Sequence, residues 1–321
     1  MSHRFCVAPM MDRTDRHERY FLRTLSKEML LYTEMIHANA VIHGNKDNLL
    51  KYHASEHPLA IQLGGSNADD LLEASLIAEE KGFDEINLNV GCPSPRVQSG
   101  SFGAVLMKQP YLVRDCLKLL VENTNIPVTV KCRIGVDEMD EDKDLDNFVT
   151  TVKDSGCKTF IIHARKAWLK GLSPKDNREI PPLNYERVYR LKDSFPDLEI
   201  IINGGIETTN DALEHLKFVD GVMVGRSAYD NPYPLVNVDK EIYSRSKLIP
   251  TRAEVLEGLV PYMENEIKNG NKLGYLTKHL MGLFKNTKHA KKARYTLANI
   301  DDDIYPMEKL KLLINETKEL C

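Results

Sequence analysis

Eight short β-rich runs, each followed by a stretch of helical periodicity, fill the first 240 residues of this chain, and few folds accept that order. The runs are RFCVAPM (4–10), MLLYTEM (29–35), LAIQLG (59–64), EINLNVGC (85–92), PVTVKCRIG (127–135), TFIIHA (159–164), EIIINGG (199–205) and GVMVGR (221–226). Between them lie amphipathic stretches such as ADDLLEASLIAEEKG, which ends in a glycine stop, and QPYLVRDCLKLLVENT, with proline near its start. Eight βα repeats of this size predict an α/β fold, a (β/α)8 TIM barrel of roughly 240 residues. A doubly wound open sheet is the alternative. It is disfavoured because no G-x-G-x-x-G turn follows the first run.

After about residue 240 only helical periodicity remains, in TRAEVLEGLVPYMENEIK, LGYLTKHLMGLFKN and IYPMEKLKLLINETKEL. The sequence therefore predicts two domains, a barrel over 1–240 followed by a small C-terminal α-helical domain over 241–321. Their charges differ: the first carries 29 Lys/Arg against 36 Asp/Glu, the second 14 against 11. Within the second, KHLMGLFKNTKHAKKAR (278–294) holds six Lys/Arg and no acid. Such a run suits a phosphate-contacting face, although a solvated helix surface would look the same.

No apolar run approaches the roughly 20 residues that cross a bilayer, and the N-terminus resembles neither a secretory signal nor a transit peptide. A cytoplasmic protein without membrane attachment is expected, and nothing in the sequence calls for an obligate protein partner. The six cysteines (Cys6, Cys92, Cys116, Cys132, Cys157, Cys321) show no CxxC or metal-type spacing, so neither a disulfide framework nor a bound metal is expected.

Barrels of this class place their chemistry at the C-terminal strand ends, and here those ends are polar. They carry APMMD, Gln62, Asn87 and Asn89 with Cys92, Lys131 and Arg133, His163 and Arg165, NGG and GR. Period-two alternation puts Asn87 and Asn89 on one face, where inward amides need partners. Gly204 and Gly205 after the seventh run, with Gly225 and Arg226 after the eighth, suit a phosphate held by backbone N–H groups and a guanidinium. The plain alternative is a tight turn. Lys131 and His163 could flank a flavin ring, the lysine stabilising charge on the N1–C2=O edge, or Lys131 could be a Schiff-base residue or an ion-pair partner. Cys6, Cys132 and Cys157 read as small buried hydrophobes. Cys92 is set differently, after the polar NLN face, before two prolines expected to prevent regular structure, and at the head of a loop with Gly100 and Gly103 of the composition that moves over a site. Thiols are mostly protonated at neutral pH, which leaves both general acid and nucleophile open.

Taken together, APMMDRTDRHERYFLR, LLYTEMIHANAVIHG, AIQLGG, DEINLNVGCPSPRVQSGSFGAVLM, VTVKCRIG, FIIHARKAWLKGLSPKDNREIPPL, INGGI and DGVMVGRSAYDNPY resemble the tRNA-dihydrouridine synthases of the A-type subfamily over nearly the whole chain. The resemblance implies a flavin enzyme that reduces the C5=C6 bond of D-loop uridines, at positions 20 and 20a, with NADPH as reductant. It implies hydride transfer from FMN N5 to uracil C6 and protonation of C5 by Cys92, on a loop that closes over bound tRNA. It further implies that Pro9, Met10 and Met11 wall the flavin, that Gln62, Lys131 and His163 contact its ring, and that Asn203, Gly204, Gly205, Gly225 and Arg226 hold its phosphate. Asn89 would address the target base. Lys175 and Arg178 match the tRNA-contacting signature, Arg165 would also contact the tRNA, and Lys291 and Arg294 match basic positions of the helical domain. One departure is Val105, where family members often carry a second cysteine. A flavin reductase acting on free pyrimidines, a Schiff-base aldolase and a bare RNA-binding barrel are the competing readings. NADPH rests on the resemblance alone, since no Rossmann-type motif is present.

Overall fold

The computed structural model describes residues 2–246, 248–302 and 305–318. Cys321, with Ile304, Glu319 and Leu320 of the last expected helix, lies outside the described residues. The eight runs form eight parallel strands: β1 (Phe5–Val7), β2 (Leu30–His37), β3 (Leu59–Gly64), β4 (Glu85–Asn89), β5 (Val128–Arg133), β6 (Thr159–His163), β7 (Glu199–Asn203) and β8 (Gly221–Val224). They pair in sequence order, and β8 closes onto β1 to complete the barrel. β3 coincides with its sequence run, and the other strands are shorter than or shifted from theirs by a few residues. β1 stops early because the chain turns at Met10, whose N–H donates to Thr14 Oγ1 at 3.0 Å.

Alternation along the strands sorts the side chains into two cores. Outward residues such as Val7, Leu31, Ile61, Leu88, Val130, Ile162 and Ile202 join the helices in one large apolar cluster. Inward apolar residues form a second, smaller one: Cys6, Ala8, Leu30, Tyr32, Ala60, Ile161, Ile201 and Met223. The rest of the interior is polar. Gln62, Asn87, Thr129, Thr159 and Glu199 stand side by side in register around half the barrel. Surrounding helices are started by side-chain caps, as where Asn67 accepts from the Asp70 N–H, Asn184 from Arg187, and Thr208 and Asp211 form a capping box.

The N-terminal segment closes the barrel floor. His3 lies 2.6 Å from Glu85 and 3.0 Å from Glu199. Burial opposes charge on this imidazole, but its hydrogen bonds to Glu199 and Glu85 outweigh that and push His3 up to about 10.

After β8 the chain is helical, with helices at Arg226–Asp230, Val238–Glu241, Arg252–Lys268, Gly274–Thr277, Ala290–Ala298 and Pro306–Lys318. The LGYLTKHLMGLFKN stretch is not one helix as its periodicity suggests. A short α-helix passes into 3-10 turns at Lys278–Gly282, because Gly282 lies against the Tyr229–Asp230 backbone, where a β-carbon would sit 2.7 Å from the Tyr229 carbonyl oxygen. The Arg252–Lys268 helix docks on the helix after β1, Arg16–Leu25. Tyr20 and Tyr262 stack with centroids 3.8 Å apart, and Arg16 pairs with Glu266 at 2.5 Å. Asp15, the cap of the barrel helix, bonds His279 at 3.0 Å. Among the described residues, no helix is long and apolar enough to cross a membrane.

Two glycines test this packing in opposite senses. A β-carbon at Gly221 would lie 2.1 Å from the His3 carbonyl oxygen, whereas at Gly258, inside the Arg252–Lys268 helix, it would meet nothing within 4 Å. Gly221→Ala is expected to cost about 1–3 kcal/mol by forcing the floor segment outward. Gly258→Ala should instead stabilise by about 0.5–1 kcal/mol. Urea unfolding of both variants checks the contrast.

Candidate active site

At the C-terminal end of β4 the chain leaves the barrel wall through Val90 and Gly91 into Cys92. Asn89 holds this exit: its Oδ1 accepts the N–H groups of Gly91 at 3.1 Å and Cys92 at 3.0 Å. The loop then folds back, and Ala104 N–H donates to the Cys92 carbonyl at 2.9 Å. That return needs Gly103, whose φ is +72° and whose β-carbon would strike Val97 at 2.4 Å and the Cys92 carbonyl oxygen at 2.6 Å. The expectation that two prolines prevent regular structure here is corrected: Pro95 occupies the first turn of a short helix, Pro95–Ser99, where its missing N–H costs nothing. Val97 and Phe102 are buried beneath the loop.

Cys92 differs from the other described cysteines. Burial pushes the Cys132 and Cys157 thiols up to about 12 and Cys116 up to about 11, and raises Cys6 as well, so these behave as inert packing groups. Cys92 alone among them is partly exposed.

Around it the mouth is cationic. Lys131 Nζ donates to Asn203 Oδ1 at 3.0 Å, and Asn203 Nδ2 donates to the Met223 carbonyl at 2.7 Å. Burial, reinforced by the neighbouring Arg133, brings Lys131 down to about 8. His163 is held well below its ordinary value by burial and by Arg133 and Lys131, so it is a neutral imidazole at physiological pH. Arg133 donates to the carbonyls of Gly91 at 2.9 Å and Asn177 at 3.0 Å, tying the Cys92 loop to the segment that carries Arg165, Lys175 and Arg178. Gln98 adds a second tie, donating to Pro93 and Leu169 carbonyls at 2.7 and 2.9 Å. Arg226 pairs with Glu179 at 2.6 Å. Burial and Arg226 lower Arg178. Such a concentration of cations in a chain of net charge −4 focuses anions on the mouth.

The turn after β7 passes through Gly204 and Gly205 at φ +117° and +70°, with His163 and Leu183 where the Gly204 β-carbon would go. After β8, Gly225 has nothing within 4 Å of its β-carbon position, so the backbone there faces open space at the mouth. Two backbone turns and guanidinium groups around a space suit a phosphate.

A sequence profile for dihydrouridine synthase (Dus) matches residues 6–318. The chain belongs to the dihydrouridine synthase family. Among its relatives, a tRNA-dihydrouridine(20/20a) synthase from Synechocystis sp. is 54% identical over 91% of this chain and 88% of the relative. Proteins of the same name from Vibrio vulnificus (53%, over 91% and 89%) and Shewanella oneidensis (51%, over 96% and 92%) are similarly close. In fold, the chain is similar to a 2-naphthoyl-CoA reductase in complex with 2-naphthoyl-CoA, with a TM-score of 0.58, 9% identity, and 73% of this chain covered. It spans about half (49%) of that larger protein.

For this dihydrouridine synthase family member, the structure brings Gln62, Asn89, Cys92, Lys131, His163, Asn203, Gly204 and Arg178 to one mouth. Pro9 and Met10 are half-buried beside the β1 exit, and Met11 is 55% exposed. Arg165 is turned onto the Pro181 carbonyl. Lys175 is exposed on the segment beyond β6. Lys291 and Arg294 stand exposed on the Ala290–Ala298 helix, a different element from every mouth residue. Arg133 stands among the polar strand ends in the sequence without a role assigned to it there, and sequence reasoning passed over the buried Asn177, whose side chain bonds both Trp168 backbone groups, at 2.7 and 2.8 Å, and thereby shapes that segment. Period-two spacing from Lys131 was enough to find Arg133; no local signal marks Asn177.

Lys131 gives a test of these electrostatics. Between about pH 8 and 10.5 the folded protein, stripped of any bound ligand, binds fewer protons at Lys131 than the unfolded chain, so its stability rises with pH across that window. Lys131→Met should abolish the rise and lift the neutral-pH melting temperature by about 2–4 °C. Thermal melts across pH on stripped protein measure both.

Proposed function

We propose that this protein reduces the C5=C6 bond of uridines 20 and 20a of tRNA to dihydrouridine, using FMN and NADPH in the cytoplasm, where both the RNA and the reductant are found. Supporting this are relatives over half identical that carry the tRNA-dihydrouridine(20/20a) synthase name. The observation that carries it is the setting of Cys92: a partly exposed thiol, fixed through its backbone by Asn89, at the rim of a cationic mouth.

The residues present fit an FMN. The open space at Gly225, the left-handed Gly204–Gly205 turn, and Arg226 suit its phosphate, and Asn203 supports the same turn. Lys131, neutral His163 and Gln62 offer donors and acceptors for a planar ring with carbonyl and imide edges, and Pro9, Met10 and Met11 would wall it. When bound, reduced FMN supplies the hydride that adds to uracil C6.

Everything else falls to the chain. A uracil stacked in folded RNA must leave its stack to enter the mouth, and RNA contacts on both sides hold it there. Arg165, Lys175 and Arg178 would supply one side. Lys291 and Arg294 would supply the other, from the helical domain that we place at 241–321, after the catalytic barrel at 1–240. Asn89 would orient the flipped base. The Cys92 Sγ–H would give its proton to C5 as C6 gains hydride, completing addition of H− and H+ across the double bond, and the thiolate would be reprotonated from solvent.

Cys92→Ala should retain flavin absorbance and bleach normally with NADPH. Its reoxidation by tRNA lacking dihydrouridine should slow by about 10²–10⁴-fold, the range for loss of a general acid. Anaerobic stopped-flow measures both halves. Reoxidation by free uracil at the tRNA rate would instead favour a free-pyrimidine reductase.

A further inference from the structure

The polar interior of the barrel forms a single directed chain of hydrogen bonds. On the floor, Glu85 accepts from His3 at 2.6 Å, from Tyr32 OH at 2.8 Å and from Thr129 Oγ1 at 2.6 Å. Asn87 Nδ2 donates to Thr129 Oγ1 at 2.8 Å, and Gln62 Nε2 donates to Asn87 Oδ1 at 2.8 Å. Asn89 Nδ2 then donates to Gln62 Oε1 at 2.8 Å, and Asn89 Oδ1 accepts the Gly91 and Cys92 N–H groups.

Direction along this chain follows from chemistry. A carboxylate with three donors around it can only accept, so the Thr129 hydroxyl must spend its one proton on Glu85. Its oxygen can then only accept from Asn87, which must present its NH2 group there and its carbonyl to Gln62. The same logic turns Gln62 and then Asn89, leaving the Asn89 carbonyl as acceptor for the loop. Glu85, Asn87, Thr129 and Gln62 are at most 1% exposed and Asn89 is 8% exposed, so water offers no substitute partner along the buried part of the chain. The backbone N–H groups of Gly91 and Cys92 can likewise only donate, so the rim and the floor impose the same direction, and a wrong group at the floor sets the two ends against each other.

We propose that Glu85 is a positioning residue for Cys92: acting through Thr129, Asn87, Gln62 and Asn89, it anchors the floor end of the chain in the one direction that the Gly91 and Cys92 N–H groups accept, and so holds the Cys92 backbone at the mouth. The proposal concerns the loop that carries the thiol, and its catalytic consequence rests on the reading of Cys92 as proton donor.

Three variants test it. Glu85→Gln puts an amide that can donate or accept at the floor, removing the fixed acceptor there and letting the floor oppose the direction that the rim requires. Thr129→Val cuts the chain one rung higher and leaves the His3–Glu85 contact in place, so it decides the matter even where Glu85→Gln fails to fold. Thr129→Ser keeps the hydroxyl and serves as the rescue. The first readout is the rate of Cys92 carbamidomethylation by iodoacetamide, followed by peptide mass spectrometry on flavin-loaded protein without tRNA. It should rise several-fold in Glu85→Gln and Thr129→Val and return to the wild-type rate in Thr129→Ser. The second is stopped-flow, in which flavin reduction by NADPH should be unchanged while reoxidation by tRNA slows on the order of tenfold in the first two variants. Wild-type rates of alkylation and reoxidation in Thr129→Val, or equal acceleration of alkylation in Thr129→Ser, would overturn the proposal. Should wild-type protein show no tRNA-dependent reoxidation, the proposed function fails, while the alkylation series still decides whether Glu85 positions the loop.

Discussion

Inward-facing polar groups in a closed barrel must satisfy one another, because the helical layer outside keeps water away from them. Most barrels avoid the problem by filling their interior with branched apolar residues. This one keeps only eight inward apolar residues in its inner cluster and gives much of the remaining interior to amides, hydroxyls and carboxylates. The arrangement is stable because the donors and acceptors are matched in number and direction, from the His3 imidazolium and two carboxylates at the floor to the backbone of Cys92 at the rim. A single mismatched rung would leave a buried polar atom without a partner, at a cost of about 1–3 kcal/mol.

Organisation of the mouth follows from that floor-to-rim order. Asn89 and Gln62 arrive already oriented, while Lys131 and His163 are stripped of solvent and pressed together with Arg133, which keeps the imidazole neutral. Arg133 also spends its donors on backbone carbonyls from two segments, so the thiol loop and the basic segment beyond β6 share one anchor. Precision at the rim thus comes from backbone carbonyls and amides, with ion pairs confined to the exposed margin, as between Arg226 and Glu179.

Much of this was legible in the sequence. All eight strands lie where alternation and β-branched content put them, because parallel strands buried on both faces have little freedom in composition. Cys92 stood out through its neighbours, and the glycines after β7 and β8 through their strand-end position. What escaped was long-range. Glu85 shares a period-two face with Asn87 and Asn89, yet only the closed barrel shows that it meets His3, 82 residues away. Helical periodicity at 273–286 was read as one helix because the close approach of Gly282 to Tyr229 is a tertiary contact with no local signature. The two prolines after Cys92 were taken as breakers, although proline is a good first residue of a helix.

The docking of Tyr262 on the first barrel helix has a temporal side. His17 and Tyr262, whose side chains bond at 2.9 Å, are 245 residues apart, so during synthesis the helix after β1 emerges on the order of tens of seconds before its cover exists. Throughout that interval Tyr20 lacks the ring that stacks on it, and Glu18 lacks the imidazole of His279, 3.4 Å away in the finished protein. In the finished protein burial and the adjacent Asp15 raise the affinity of the Glu18 carboxyl for a proton well above its ordinary value. Attachment of the helical C-terminal region therefore completes a contact that the first barrel helix cannot make for itself while the chain is being synthesised.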